Sequence, residues 1–136
     1  MRLDDSFPAT TESVALARGL LDRIAVDLGL RDEDREDLRL AFSEACANAV
    51  LHGSPRGVQS RFHVCCELRD RALIIEVRDE GRGFECQIPS PPPAGYVERG
   101  RGLFLMQQMV DQVEFDRQPH GMVVRLVKKL NGTTSP

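Results

Sequence analysis

Apolar residues recur at helical spacing in two segments of the N-terminal half. The first predicted helix, from about Thr10 to Gly29, has an apolar face formed by Val14, Ala17, Leu21, Ile24 and Leu28. The second begins near the acidic cluster at residues 32–34 and ends at His52 and Gly53, with the apolar face Leu38, Phe42, Ala45 and Ala49. Acidic residues favour the first turn of a helix, and glycine is a common helix stop, so both boundaries are consistent with helical structure.

Alternating or continuous apolar runs predict strands in the rest of the chain. An extended start, Arg2 to Phe7, precedes the first helix, and a third short helix is expected from Leu103 to about Asp111. Four further strands are predicted at Phe62–Leu68, Ala72–Arg78, Val113–Arg117 and Met122–Val127. This order lacks the strand–helix alternation of a Rossmann fold. It favours an α+β fold, a two-layer α/β sandwich with a mixed, mostly antiparallel sheet and helices on one face.

Length and composition indicate one domain. The chain has 136 residues, 41% of them hydrophobic, and a formal net charge of -3. We expect a single domain at residues 1–130 and a flexible tail at 131–136. The charge gives no basic field for nucleic acid, and the sequence has no apolar run long enough for a membrane span. The N-terminal residues include acids where a signal peptide would have an apolar core, so we do not expect export. A cytoplasmic protein is therefore expected, with its four cysteines reduced and packed.

Two polar residues lie one turn apart on the second helix. Glu44 and Asn48 fall four apart on a helix that is otherwise largely apolar. A glutamate can accept a proton or hold a metal-bound water, and an asparagine oxygen suits a hard cation such as magnesium. The alternative is a solvated polar stripe on an amphipathic helix, which the pattern alone favours.

Two glycine loops offer further candidate chemistry. Asp79 ends a strand and is followed by Gly81 and Gly83, so a carboxylate stands beside open backbone, where it can accept a hydrogen bond from the exocyclic amine of adenine. The alternative is a tight turn after an edge strand. Gly100 and Gly102 precede the third helix, whose first amides can bind phosphate, although a simple hinge remains an alternative.

The order of these motifs resembles that of a known superfamily. The chain has three motifs in the order found in the GHKL ATPases: a helix with E-x-x-x-N, then a strand that ends in D-x-G-x-G, then a helix that begins with G-x-G-L. The run Ser43–Val50, followed by His52 and Gly53, is similar to that of the anti-sigma-factor serine/threonine kinases within the superfamily. The resemblance covers nearly the whole chain and implies the histidine-kinase-like ATPase fold.

The resemblance implies roles for five residues of the first two motifs. Glu44 would be the catalytic base, and Asn48 a cofactor-binding residue and magnesium ligand. Asp79 would recognise adenine, with Gly81 and Gly83 shaping the floor of the pocket.

The third motif would face the phosphates. Gly100 and Gly102 resemble the hinge glycines at the end of the ATP lid, and the amides around Leu103 would contact phosphate oxygens. Arg99 or Arg101 would touch the phosphate tail, although each taken alone is also consistent with a surface arginine.

By the same resemblance, the chain is expected to be an ATP-dependent protein serine/threonine kinase that acts as an anti-sigma factor. It would use ATP and Mg2+, phosphorylate an anti-anti-sigma partner, sequester a sigma factor or similar regulator, and form a homodimer. The alternative is a nucleotide-gated binding module without useful catalysis. One departure favours that alternative mildly, since Met122 stands where the family commonly has a threonine whose hydroxyl assists adenine recognition.

Overall fold

Five strands and two long helices make up most of the structure. The computed structural model describes residues 2–81, 105–119 and 121–130, with the side chain of Arg2 left out. In chain order the elements are β1 Arg2–Pro8, α1 Thr11–Asp27, α2 Asp32–His52, β2 Arg61–Arg69, β3 Ala72–Arg78, β4 Gln112–Gln118 and β5 Gly121–Lys129. A 3-10 turn at Gly57–Gln59 precedes β2, and residues 105–109, here called α3, are the described part of the predicted third helix.

The strands form one sheet in the order β1-β2-β3-β5-β4. All four pairings are antiparallel, so the described strands contain no parallel pair, where the sequence had left room for a mixed sheet. The β2–β3 hairpin turns through Asp70 and Arg71, whose φ angles of 50° and 62° match the two left-handed positions of a type I′ turn. The two strands thus form a short hairpin, and β3 lies in the middle of the sheet.

The helices cover one face of this sheet. Along β3, Leu73, Ile75 and Val77 are buried while the residues between them are partly exposed. The predicted apolar face of α2 is wholly buried and packs into the same core as these strand residues. The α+β two-layer architecture with helices on one face is therefore confirmed. No helix in the described part of the chain is long and apolar enough to cross a bilayer.

Local signals explain where the helices begin and end. The Oγ1 of Thr10 accepts a hydrogen bond from the N–H of Ser13 at 3.1 Å, which caps the start of α1. Gly29 follows the end of α1 with a φ of 75°, a conformation that glycine adopts without strain. At the end of α2, the N–H of Gly53 still donates to the carbonyl of Ala49 at 3.1 Å.

The described cysteines are free thiols. Cys46 and Cys66 are buried, and burial raises the pKa of the Cys66 thiol to about 12, so it is neutral at physiological pH. Cys65 is partly exposed on the opposite face of the sheet, as expected for neighbours on a strand. Cys86 lies outside the described residues.

Candidate active site

The α2 helix buries an amide nitrogen that is unpaired in the described part of the chain. Asn48 is only 6% exposed, and its Nδ2 has no hydrogen-bond partner among the described residues. Glu44, one turn earlier, is partly buried, while His52, one turn later, is exposed. A solvated stripe would expose all three residues, so the polar-stripe alternative fails at Asn48. Because buried polar groups are nearly always paired, the unpaired Nδ2, which is a donor, indicates a place for a ligand that accepts a hydrogen bond.

A second polar group is fixed at the end of β3. The N–H of Asp79 donates to the carbonyl of Met122 at 3.0 Å, which continues the pairing of β3 with β5. In return, Asp79 Oδ1 accepts hydrogen bonds from the N–H of Gly81 at 2.9 Å and from the N–H of Met122 at 3.1 Å. The carboxylate is therefore held in one orientation. Since β3 is a central strand, the alternative of a turn after an edge strand is wrong.

Burial and hydrogen bonding act in opposite directions on Asp79. Desolvation is the largest effect and raises the pKa of the carboxyl above its ordinary value, whereas the bonds from Gly81 and Met122 lower it. The net shift is upward. A ligand that donates a hydrogen bond to this carboxylate would offset part of the burial cost.

Gly53 allows the end of α2 to approach Asp79 closely. A Cβ on Gly53 would lie 2.1 Å from Asp79 Oδ2, and one on Gly81 would lie 2.6 Å from the Cα of Gly53. The N–H of Glu80 also donates to the carbonyl of Gly53 at 3.2 Å. Gly53 was interpreted from the sequence only as a helix stop. A stop glycine and a close-contact glycine give the same sequence signal, so the second role was missed.

The start of β5 completes the surroundings of Asp79. A Cβ on Gly121 would lie 1.8 Å from the carbonyl oxygen of Asp79, so no side chain fits there without moving the backbone. The side chain of Met122 is fully buried in the core. Met122 therefore contributes to the site through its main chain, which sequence reasoning about its side chain did not foresee.

These contacts place the candidate residues in order along α2. At about 1.5 Å of rise per residue, Asn48 lies roughly 7 Å and Glu44 roughly 13 Å along the helix axis from Gly53, where the helix meets Asp79. The structure thus relates Glu44, Asn48, Asp79 and Gly81 to one another. The remaining candidates lie outside the described residues: Gly83, Arg99, Gly100, Arg101, Gly102 and Leu103.

A hollow of about 520 Å3 on the uncovered face of the sheet contains none of these candidates. Its lining includes Glu76, Arg125 and Glu114, and Arg125 Nε donates to Glu76 Oε2 at 2.9 Å. This side of the sheet is held by its own cross-strand ion pairs. It is separate from the candidate site.

Comparison with known proteins identifies the family to which the chain belongs. Residues 7–128 match the model of the histidine kinase-like ATPase domain. The serine-protein kinase RsbW of Bacillus velezensis is 34% identical over 96% of this chain and 86% of its own length. RsbW of Bacillus subtilis is 31% identical over 92% of this chain and 83% of its own length. The anti-sigma F factor of Bacillus subtilis is 27% identical over 92% of this chain and 90% of its own length.

Solved structures share the fold. A crystal structure of the RsbU and RsbW domains of Rv1364c from Mycobacterium tuberculosis matches 95% of this chain with a TM-score of 0.72 and 19% identity. The match covers 32% of that longer chain, and at this identity it concerns the fold alone. The sequence matches, by contrast, cover most of both proteins. The chain therefore belongs to the histidine kinase-like ATPase family, in the group that contains the serine-protein kinases RsbW and anti-sigma F factors.

Proposed function

We propose that the protein is an ATP-dependent protein serine/threonine kinase that acts as an anti-sigma factor. It transfers phosphate to a serine of an anti-anti-sigma partner and sequesters a sigma factor or similar regulator. The names of relatives that match along most of the chain support this function. The structural observation that supports it most is the buried Nδ2 of Asn48, which has no hydrogen-bond partner among the described residues. Asn48 lies one turn from Glu44 on the helix that ends against Asp79.

Asp79 is proposed to recognise adenine. Its Oδ1 already accepts two main-chain hydrogen bonds, which leaves Oδ2 to accept one from the exocyclic amine. Guanine presents a carbonyl oxygen at the same position, which a carboxylate repels. The close packing of Gly81 against Gly53 supports a flat pocket floor here, which Gly83 would extend.

Asn48 is proposed to hold the magnesium ion that accompanies the phosphates. Its amide oxygen is a hard ligand of the type that Mg2+ prefers, and Mg2+ usually takes only one or two protein ligands, with phosphate and water completing the set. The described residues contain no cluster of three His, Cys, Asp or Glu side chains that could bind a metal without other ligands. This is consistent with a magnesium ion held jointly by Asn48, phosphate and water.

We further propose that Gly100, Gly102 and the amides around Leu103 contact the phosphates, together with Arg99 or Arg101.

Glu44 is proposed to act as the general base. It lies about 6 Å further along α2 than Asn48, on the side away from Asp79. There its carboxylate would accept the proton of the incoming serine hydroxyl, while Asn48 orients the phosphates. Magnesium, when bound, would neutralise charge on the phosphate oxygens.

Phosphorylation would then act as a switch on the partner. A phosphoserine adds roughly one and a half to two negative charges, which disfavours docking next to acidic groups. Release of the partner would leave the kinase available for the sigma factor.

We also propose that the protein forms a homodimer. Its cytoplasmic location stays a prediction.

A transfer assay separates the kinase from the alternative of a nucleotide-gated binding module. The protein is incubated with Mg2+, γ-labelled ATP and a candidate anti-anti-sigma protein from the same genome. Label on a serine of the candidate is the expected result. Binding of the candidate that depends on ATP but leaves it unlabelled would contradict the kinase and favour the module.

Gly53→Ala tests the close approach of α2 to Asp79. The new Cβ would stand 2.1 Å from Asp79 Oδ2, so the carboxylate must move and two backbone hydrogen bonds weaken. We expect ATP affinity to fall at least about tenfold, which corresponds to about 1.4 kcal/mol. Isothermal titration with ATP measures the change.

Gly19→Ala is the matched control. Gly19 lies inside α1, and beyond its chain neighbours and the backbone of its own helix no described atom lies within 4 Å of an added Cβ. Alanine there should raise the free energy of unfolding by about 0.5–1 kcal/mol and leave ATP affinity unchanged. Equal ATP affinity in wild type and Gly53→Ala would show that the position of Asp79 does not govern nucleotide binding.

A further inference from the structure

A small apolar hollow lies between α2 and α3, and Glu44 forms part of its wall. Its volume is about 130 Å3, and its lining residues are Leu40, Ala41, Ser43, Glu44, Leu105, Met106 and Met109. Apart from Ser43 and Glu44, every lining side chain is apolar. A cavity of roughly 150 Å3 accepts a benzene-sized ligand, so this one has room for a single apolar side chain.

Two leucines at this hollow are exposed. Leu40 is 48% exposed and Leu105 is 41% exposed, although their neighbours Ala41 and Met106 are buried. The apolar surface thus runs from the core to the protein exterior at this point. Methionine adapts its shape to an incoming side chain, and Met109 is partly buried at the same place.

The direction of the proposed reaction leads to this hollow. Along α2, Asp79 lies at the C-terminal end, followed towards the N-terminus by Asn48, Glu44 and then Leu40. In phosphoryl transfer the attacking and leaving oxygens are roughly in line with phosphorus. With the adenine end at Asp79, the acceptor hydroxyl must approach from the Glu44 side, which is the side of Leu40.

Resting on the function proposed above, we infer that this hollow receives an apolar, leucine-sized side chain adjacent to the acceptor serine of the protein substrate. A segment that brings a serine hydroxyl within hydrogen-bond reach of Glu44 passes directly over the hollow, because Glu44 lines it. Burial of one apolar side chain there would fix the position of the serine. Leu40 and Leu105 are thus positioning residues for the protein substrate, not for ATP.

Steady-state kinetics of Leu40→Ser and Leu105→Ser test this inference, with the anti-anti-sigma protein that the wild type phosphorylates. We expect the KM for that protein to rise about tenfold, with kcat and the KM for ATP within twofold of wild type. Leu40→Met keeps the site apolar and should restore the wild-type KM. Leu68→Ser is the control, since Leu68 is 38% exposed at the end of β2, away from this hollow.

A partner-side experiment locates the occupant. Each apolar residue beside the phosphorylated serine is changed to serine in turn and combined with Leu40→Ser. For one such residue the two changes should be non-additive, because each removes the same contact. Additive effects at every position would overturn the inference.

Three other outcomes would also overturn it. The first is an unchanged KM for the protein substrate. The second is a rise in the KM for ATP, which would make the hollow part of the nucleotide site. The third is loss of a dimer in sedimentation of Leu40→Ser, which would assign the hollow to a second copy of the chain. Absence of transfer by the wild type would instead contradict the proposed function itself.

Discussion

Asp79→Asn is expected to lower ATP affinity about 100-fold. In the wild type, Asp79 Oδ1 accepts hydrogen bonds from the N–H groups of Gly81 and Met122. The oxygen of the substituted amide can accept the same two bonds. The amide NH2 must then replace Oδ2 and would face the exocyclic amine of adenine, donor against donor. An unpaired buried donor costs about 1–3 kcal/mol, and about 1.4 kcal/mol corresponds to each tenfold. Isothermal titration with ATP and GTP measures the change, and the affinity for GTP should rise relative to the affinity for ATP.

The stability of the same variant serves as its control. Burial raises the pKa of Asp79 in the folded state, so the folded protein holds this proton to higher pH than the unfolded chain does. The contribution of Asp79 to wild-type stability therefore falls as pH rises from the ordinary aspartate pKa through the raised one. Asp79→Asn lacks this loss and should unfold at pH 7 with no lower free energy than wild type. Loss of ATP binding together with a large loss of stability would show damage to the fold instead.

Glu44→Gln is expected to slow phosphate transfer by a factor of about 100 to 10,000, the usual contribution of a general base. Glutamine has nearly the same shape but cannot accept the serine proton. ATP affinity should stay within about twofold, because adenine recognition lies at the far end of α2. Transfer rates at saturating ATP, together with ATP titrations, measure the two quantities separately.

Glu36→Gln is the matched control for Glu44. Glu36 is an exposed glutamate on the same helix, two turns earlier, so its replacement removes the same charge from α2 without touching the site. We expect wild-type transfer from this variant. Undiminished transfer by Glu44→Gln would exclude Glu44 as the base.

Periodicity predicted the fold well, because burial and secondary structure share the same repeat. The predicted apolar face of α2 lies in the hydrophobic core, as its spacing required: Leu38, Phe42, Ala45 and Ala49. The observed bounds of β3 agree with those predicted from its apolar run. Asn48 and Asp79 were also found from residue type and position. Their burial and hydrogen bonds needed the structure, since a sequence pattern does not show which neighbours surround a side chain.

Other features of the site have no distinct sequence signal. Gly53 ends a helix and, because it has no side chain, also allows Asp79 to pack closely against it. Only the first of these roles has a known local sequence pattern. Met122 was judged by its side chain, whereas its main-chain N–H and carbonyl are what contact Asp79. Leu40 has no distinct sequence signal either, because the hollow beside it exists only once α3 packs on α2.

The central claim is that one ATP spans α2, with adenine at Asp79 and the reacting phosphate at Glu44. Single-turnover transfer to the partner serine, measured over a series of ATP concentrations, tests it for wild type, Asp79→Asn and Glu44→Gln. The claim predicts that Asp79→Asn raises the half-saturating ATP concentration about 100-fold, while Glu44→Gln lowers only the maximal rate. Both variants changing the same parameter, or a wild type that transfers no phosphate, would contradict it.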